Sequence, residues 1–498
     1  MNRVLYIPFD QLNRNYGVLK HADPHTDLVF LVESQRMLTT RPWHFQRLFF
    51  MISAAKHFAQ SLREEGFHVR YVKTDTTSDG ISELLKEFPD ALLVASEPSS
   101  FRLAQSLAQL GAEILPNDFF LTSRVEFSAW ASSQKNFLME NFYRKQRVRL
   151  NILMNGSEPL GGVWNLDSEN RLPPQKGQIF EDYLLHSYDQ TDEEIIQELR
   201  KNYPNLWGDA PDGTWGTTRT QAVAQLEHFV KNNFEKFGPF EDAMPQENWA
   251  VHHSLLSSYL NIGLLHPQEV VDRVMEEFDR GEIPLNSCEG FIRQIIGWRE
   301  YVNGMYWFLG ENYREKNELK ATRILLPLFT NPQATSMNCM KSIVSDIADR
   351  AWVHHIPRLM VLSNFALLTN TNPQEFLDWM RESFIDAAEW VMVPNVIGMG
   401  MHADGGQMMT KPYISGGAYI KRMGNYCSGC KYKPTERTGE SACPFTSLYW
   451  NFLDTHREEF QSNHRMAQQY AGLKRLNDLE QVKKRSAEVI EGLERGVI

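Results

Sequence analysis

Four thiols gather towards the end of this chain: Cys339, the C-x-x-C pair Cys427 and Cys430, and Cys443 directly before Pro444. Only five cysteines occur among 498 residues, so four in one region read as a single tetrathiolate metal centre. The two thiolates of a C-x-x-C reach adjacent corners of such a centre from one tight turn, and a proline after a cluster cysteine recurs in ferredoxin-type iron–sulfur sites. Zinc takes the same four sulfurs, and on spacing alone it is the commoner occupant. Cys288 stands apart and reads as a small buried side chain.

Other residues point to a polar ligand and to proton transfer. The run His253-Ser254-Leu255-Leu256-Ser257 places hydroxyls and amides at a helix start, where they are donors for a pyrophosphate. His354 and His355 are adjacent. On a helix such neighbours diverge, so one of them faces a given cavity, and an imidazole can give or take a proton near neutral pH. The net charge of -11 excludes a protein coated with nucleic acid over its whole surface. A local site stays open, because Lys411, Lys421, Arg422, Lys431, Lys433 and Arg437 surround the cysteines against the single acid Glu436. A second basic run, Arg144 to Arg149, reads as a solvated face.

These groups need a scaffold, and the text of the chain changes twice. Short runs at 4–7, 28–32, 69–72 and 91–94 alternate with helical patterns such as 43–64, the rhythm of a parallel, Rossmann- or flavodoxin-like α/β sheet. Asp10, Glu33 and Glu97 follow strands and would stand at the crevice where such sheets hold ligands. No glycine-rich phosphate fingerprint follows the first run, which argues against a dinucleotide there. Residues from about 150 to 215 turn to Gly, Pro, Asn and Asp and read as a long connector, and beyond 216 helical periodicity takes over. The expectation is an α/β domain over 1–130, a connector over 131–215 and an all-α domain over 216–498. No apolar run is long enough to span a membrane and the opening residues lack a signal peptide, so a cytoplasmic protein with reduced thiols is expected.

Two segments in the helical half resemble the flavin-binding core of the photolyase and cryptochrome family: 253–263, against a T-S-x-L-S-x-Y-L-x-x-G pattern, and Ile292-Arg293-Gln294-Ile295-Ile296-Gly297-Trp298-Arg299-Glu300. With the cysteines, the likeness narrows to the iron–sulfur bacterial branch, the prokaryotic (6-4) photolyases, and it runs almost end to end. It implies FAD held by His253, Ser254, Leu255, Leu256, Ser257, Gln294 and Arg299, with Asp386 and Asn395 on the flavin. It also implies a [4Fe-4S] cluster on Cys339, Cys427, Cys430 and Cys443 in place of zinc. A 6,7-dimethyl-8-ribityllumazine antenna near Asp10, Glu33 and Glu97 follows, as does a divalent cation such as Mg2+ near Asp167.

The function implied is light-driven repair of (6-4) photoproducts in UV-damaged DNA by a monomer without an obligate protein partner. Excited reduced flavin passes an electron to a flipped-out lesion, with His354, His355 and Tyr413 at the lesion pocket. Alternatives are a blue-light cryptochrome photoreceptor, a CPD photolyase, or a non-catalytic DNA-binding protein with structural zinc. Electrons for the flavin would pass through Trp379, with Trp390 as a substitute relay. The branch often carries aromatics where this chain has Asn331 and Met380, so that route is interrupted.

Overall fold

Aliphatic and β-branched runs early in the chain build a parallel sheet from β1 (Arg3–Tyr6), β2 (Asp27–Ser34), β3 (His68–Thr74), β4 (Leu92–Ser96) and β5 (Glu113–Leu115), in the order β3-β2-β1-β4-β5. The structure is a computed structural model that describes residues 1–498. Val4 lies between Leu28 and Leu93 in register, and all three are buried because helices cover both faces of the sheet. Strand order reverses where β1 meets β4, which opens a crevice at the carboxyl ends of the strands. The expected runs at 28–32 and 69–72 fall within β2 and β3, and those at 4–7 and 91–94 overlap β1 and β4 to within one residue. The short edge strand β5 went unread, since Glu-Ile-Leu shows two exposed residues and no buried one.

The long helix Phe45–Glu64 starts at His44, whose Nδ1 accepts the Gln46 N–H. Its proton is therefore on Nε2, which donates to the Ala348 carbonyl at 3.0 Å. One imidazole thus caps a helix of the α/β domain and ties it to the helical half. Burial drives its pKa down to about 4, which keeps it neutral in that role.

The stretch after the sheet is more structured than its composition suggests. Helices Arg124–Ser132 and Met139–Leu150 send Phe127, Trp130 and Phe142 into the main helical core against Tyr301. Residues 151–189 are largely irregular, and helix Gln190–Asn202 then lays Ile195, Ile196 and Leu199 beside Phe49 and Ile52. Of the basic residues on helix Met139–Leu150, Arg147 is part of this packing. Arg147 is fully buried and donates to the carbonyls of Leu153 and Trp164, while Arg144 pairs with Glu140. Arg144, Lys145 and Arg149 are exposed, as a solvated basic face requires, and Arg147 alone departs from it as an internal tie.

Beyond residue 216 the chain is helical, and three segments widen from α to π geometry: Arg293–Arg299, Pro357–Ser363 and Pro394–Gly400. Such wide turns concentrate at functional sites. All three line one cavity. No helix is long and apolar enough to cross a membrane.

Candidate active site and metal centre

The cavity, of about 310 Å³, opens among the π-helical segments. Its floor comes from the loop before helix Ser257–Asn261, where Leu255 takes a φ of 58°, a conformation that Cβ-bearing residues seldom adopt. That kink brings Ser254, Leu256 and Ser257 to the same wall as Leu255. Opposite, Asp386 accepts from Ser257 Oγ at 2.6 Å and forms a two-pronged pair with Arg358 at 3.0 and 3.1 Å. Asn261 ties down the Asp386 carbonyl at 2.8 Å. Gln294 donates to Glu241 at 2.8 Å, and Asn395 to the Val391 carbonyl at 2.8 Å.

Two buried groups on this wall lack partners. Arg299 pairs with Glu300 at 3.1 Å through Nη1, yet its Nε is buried and unbonded. His354 Nδ1 is likewise buried without a partner. A buried polar atom left unpaired costs about 1–3 kcal/mol. An acidic or carbonyl-rich ligand would satisfy the guanidinium, and an N–H donor would satisfy the imidazole.

The histidines separate into two roles. His253 and His354 stack with centroids 4.2 Å apart, and His253 Nε2 donates to the Glu241 carbonyl at 3.1 Å. Burial, and then the neighbouring positive groups, hold His354 well below its usual pKa, and burial takes His253 to about 3. This pair is fixed as neutral. His355 diverges, with its ring accessible from the cavity, and burial of its surroundings followed by the Arg358 charge lowers its pKa to about 4. Glu241, walled in beside them, is pushed the other way, up to about 8, by burial.

A second cavity lies outside the carboxyl ends of β1 to β4 and includes Asp10, Glu33, Arg47 and Ser99. Asp10 Oδ2 accepts from Ser99 while Oδ1 is buried and free. Arg47 donates to the Phe384 and Ile385 carbonyls, and its buried Nε has no partner. Glu33 is already engaged by Tyr71 at 2.7 Å and Gln35 at 3.1 Å. Asp386 and Asn261 belong to the walls of both cavities and so stand between them.

The four cysteines line one small apolar hollow with Met337, Ile420, Tyr426 and Tyr432. Cys339 opens helix Asn338–Arg350, Cys427 lies in the 3-10 turn Tyr426–Gly429 with Cys430 directly after it, and Cys443 precedes helix Pro444–Thr455 at its N-cap position. Gly417 leaves room for the last sulfur: a Cβ there would sit 2.8 Å from Cys443 Sγ. His57, Asp189 and Asp192 form the one trio of His, Cys, Asp or Glu whose ligand atoms all lie within 4.8 Å of each other, so any three of the four sulfurs include a pair further apart than that.

Most expected residues converge. His253 to Ser257, Gln294, Arg299, His354, His355, Asp386, Trp390 and Asn395 share the first cavity. Asp10 and Glu33 share the second, whereas Glu97 lies outside it and is turned to Arg124 and to the Asn117 amide. Tyr413 and Trp379 lie outside the first cavity: Tyr413 packs against the helical core, and Trp379 sits among Phe329, Phe376 and Phe384. Asp167, a candidate cation ligand, pairs with Arg171 and Arg293. Sequence reasoning missed Glu241, Trp352 and Arg358 in the cavity wall and Arg47 in the second cavity. Arg358 was findable, three residues beyond the His-His pair, but its partner Asp386 is distant in sequence.

A family model described as deoxyribodipyrimidine photo-lyase-related protein matches residues 5–215. A (6-4) photolyase of Agrobacterium fabrum is 38% identical over 490 residues, 96% of each chain. An uncharacterised mimivirus protein, R855 of Acanthamoeba polyphaga mimivirus, is 32% identical over 101 residues, covering 20% of this chain and 75% of its own length. The crystal structure of a bacterial class III photolyase from Agrobacterium tumefaciens shares the fold with a TM-score of 0.57 at 13% identity, covering 95% of this chain and 98% of that one. With the α/β sheet, the π-walled cavity and near full-length identity in agreement, this chain belongs to the bacterial photolyase and cryptochrome family.

Proposed function

We propose that the protein is a light-driven DNA repair enzyme acting on (6-4) pyrimidine–pyrimidone photoproducts. The observation that carries this reading is the placement of His355 on the wall of a cavity built for a flavin dinucleotide, in a chain 38% identical over 96% of its length to a (6-4) photolyase. The residues fit FAD: the unbonded Arg299 Nε and the hydroxyl of Ser254 suit a pyrophosphate, and the free His354 Nδ1 suits an N–H donor. When bound, the flavin supplies the light-driven electron. Arg358 and Asp386 hold one wall in place, and their pairing keeps a fixed dipole beside the cavity. Repair of this lesion also needs a proton and a group moved between two bases. His355, neutral and open to the cavity, can accept a proton at one ring nitrogen and release one from the other. His354, stacked and enclosed, positions the pocket.

The four thiolates are assigned to a [4Fe-4S] cluster. Tetrahedral zinc would draw its four sulfurs to about 3.8 Å of one another, whereas here every set of three sulfurs includes a pair more than 4.8 Å apart, which suits a larger core. The second cavity is assigned to a ribityllumazine-type antenna, since the free Asp10 Oδ1 and Arg47 Nε offer an acceptor and a donor to an N–H and carbonyl edge.

The test is repair of an oligonucleotide carrying one defined (6-4) lesion, with reduced protein, in light and in the dark, followed by chromatography. Light-dependent return of two normal thymines is expected. A flavin-loaded, fully reduced protein that leaves the lesion untouched in light would overturn the assignment.

A further inference from the structure

Trp352 lines the flavin cavity and is buried, with its Nε1 3.4 Å from Ser257 Oγ. Behind it lies Trp249, with ring centroids 5.5 Å apart at 79°, and behind Trp249 lies Tyr183, at 5.1 Å and 66°. Burial lessens outward: Trp352 is buried, while Trp249 and Tyr183 are partly exposed. Three oxidisable rings in edge-to-face contact therefore run from the cavity wall to the surface with no aliphatic residue between them. The segment around Trp379 offers no such path. That indole is off the cavity wall, and its ring neighbours Phe329, Phe376 and Phe384 are phenyl groups, far harder to oxidise than indole or phenol. Trp215 also approaches Trp352, at 6.3 Å, but it is fully buried and leads nowhere.

We propose that Trp352, Trp249 and Tyr183 are the route by which oxidised flavin, once excited by light, is reduced from the protein surface. The proposal rests on the flavin assignment above. One electron leaves the Trp352 indole for the excited flavin, Trp249 refills Trp352, and Tyr183 refills Trp249. The buried Trp249 Nε1–H has no hydrogen-bond partner, so its proton has no acceptor and the positive hole passes on instead of being trapped there. At Tyr183 the phenolic proton can leave to water, which removes the positive charge and stops the hole from returning. A thiol reductant in solution then returns a hydrogen atom to the tyrosyl oxygen. The balance is one electron gained by the flavin, one proton released and one thiol converted to a thiyl radical, which pairs to disulfide.

The experiment uses holoprotein with oxidised flavin and excess thiol under blue light, following flavin absorbance and the light-induced radical by electron paramagnetic resonance. Trp249→Phe and Tyr183→Phe keep the ring packing and so spare the fold. The expected result is photoreduction slowed by about tenfold or more in Trp249→Phe, and loss of the tyrosyl signal in Tyr183→Phe. Both variants, reduced chemically with dithionite, should repair at the parent rate. Photoreduction within about twofold of the parent in both variants would overturn the proposal while leaving the flavin assignment intact. A parent protein without a flavin spectrum would overturn both.

Discussion

At the scale of single residues, the site depends on groups whose protonation is set by where they are buried. His355→Ala is expected to lower the repair rate by about 10²–10⁴ with flavin absorbance retained, because the side chain removed opens on the cavity. His354→Ala should act on stability first, since its ring is buried against His253 at 4.2 Å, and comparing melting curves with repair rates separates the two roles. Glu241 gives a pH signature. Its folded pKa of about 8 lies above the 4.5 of an unburied glutamate, so the folded state holds the proton more tightly. The associated stability is present below pH 4.5 and is lost as pH rises through about 8. Glu241→Gln should therefore melt higher than the parent at pH 8.5 and gain nothing at pH 5, in thermal unfolding followed by circular dichroism, a gain of about 1–2 kcal/mol corresponding to about 1–2 °C in a chain of this length. A parent melting curve independent of pH over that range would refute the assignment of a buried, protonated carboxyl.

At the scale of elements, close approaches fix how helices carry the site. A Cβ on Gly304 would fall 2.1 Å from the Phe127 ring, so helix Arg124–Ser132 can seat against helix Glu300–Leu309 only because that position is glycine. Gly304→Ala should destabilise the protein by about 1–3 kcal/mol or more, read as a lower denaturation midpoint. At the four cysteines proposed to hold the cluster the equivalent position is Gly417. Gly417→Ala should reduce iron content and the broad visible absorbance, as should Cys430→Ala, whereas an unchanged spectrum in Cys430→Ala would reject the ligand set. These devices also show what the amino-acid text could and could not convey. The strands were legible because a doubly covered parallel sheet needs continuous aliphatic runs, as at 28–32. The cysteines and the segment at 292–300 were legible because local spacing carries their chemistry. The π-helical turns were not, since widening a helix by one residue leaves no compositional trace, and those turns aim Gln294, Arg358 and Asn395 at the cavity. Helix Gln190–Asn202 was hidden because its apolar face is only three residues wide. Arg47 and Glu241 escaped notice for another reason: the role of Arg47 follows from a buried nitrogen without a partner and that of Glu241 from burial, which exist only once the chain is folded.

At the scale of the whole molecule, a chain with a net charge of -11 must still bring DNA to the cavity. Charge has to be arranged, because each phosphate contact contributes through release of counterions and a uniformly acidic surface would repel the duplex. Among the basic residues near the cysteines, Arg437 is held by Asp478 at 2.9 Å and is not free for phosphate. Lys421, Arg422, Lys431 and Lys433 are exposed, and Lys421 and Arg422 close helix Gly417–Met423. Arg422 also rests over Tyr419, which presents its guanidinium in a fixed position. Lys421→Ala and Arg422→Ala should each weaken binding of damaged duplex and reduce the slope of log affinity against log salt by about 1. Acting at the phosphates, they should not change the preference for damaged over undamaged DNA. Exchanging Arg144, already paired with Glu140, should leave the slope unchanged and serves as the internal comparison. Fluorescence anisotropy across a salt series decides the matter, and equal slopes for the parent, Lys421→Ala and Arg422→Ala would place the DNA on another face of the molecule.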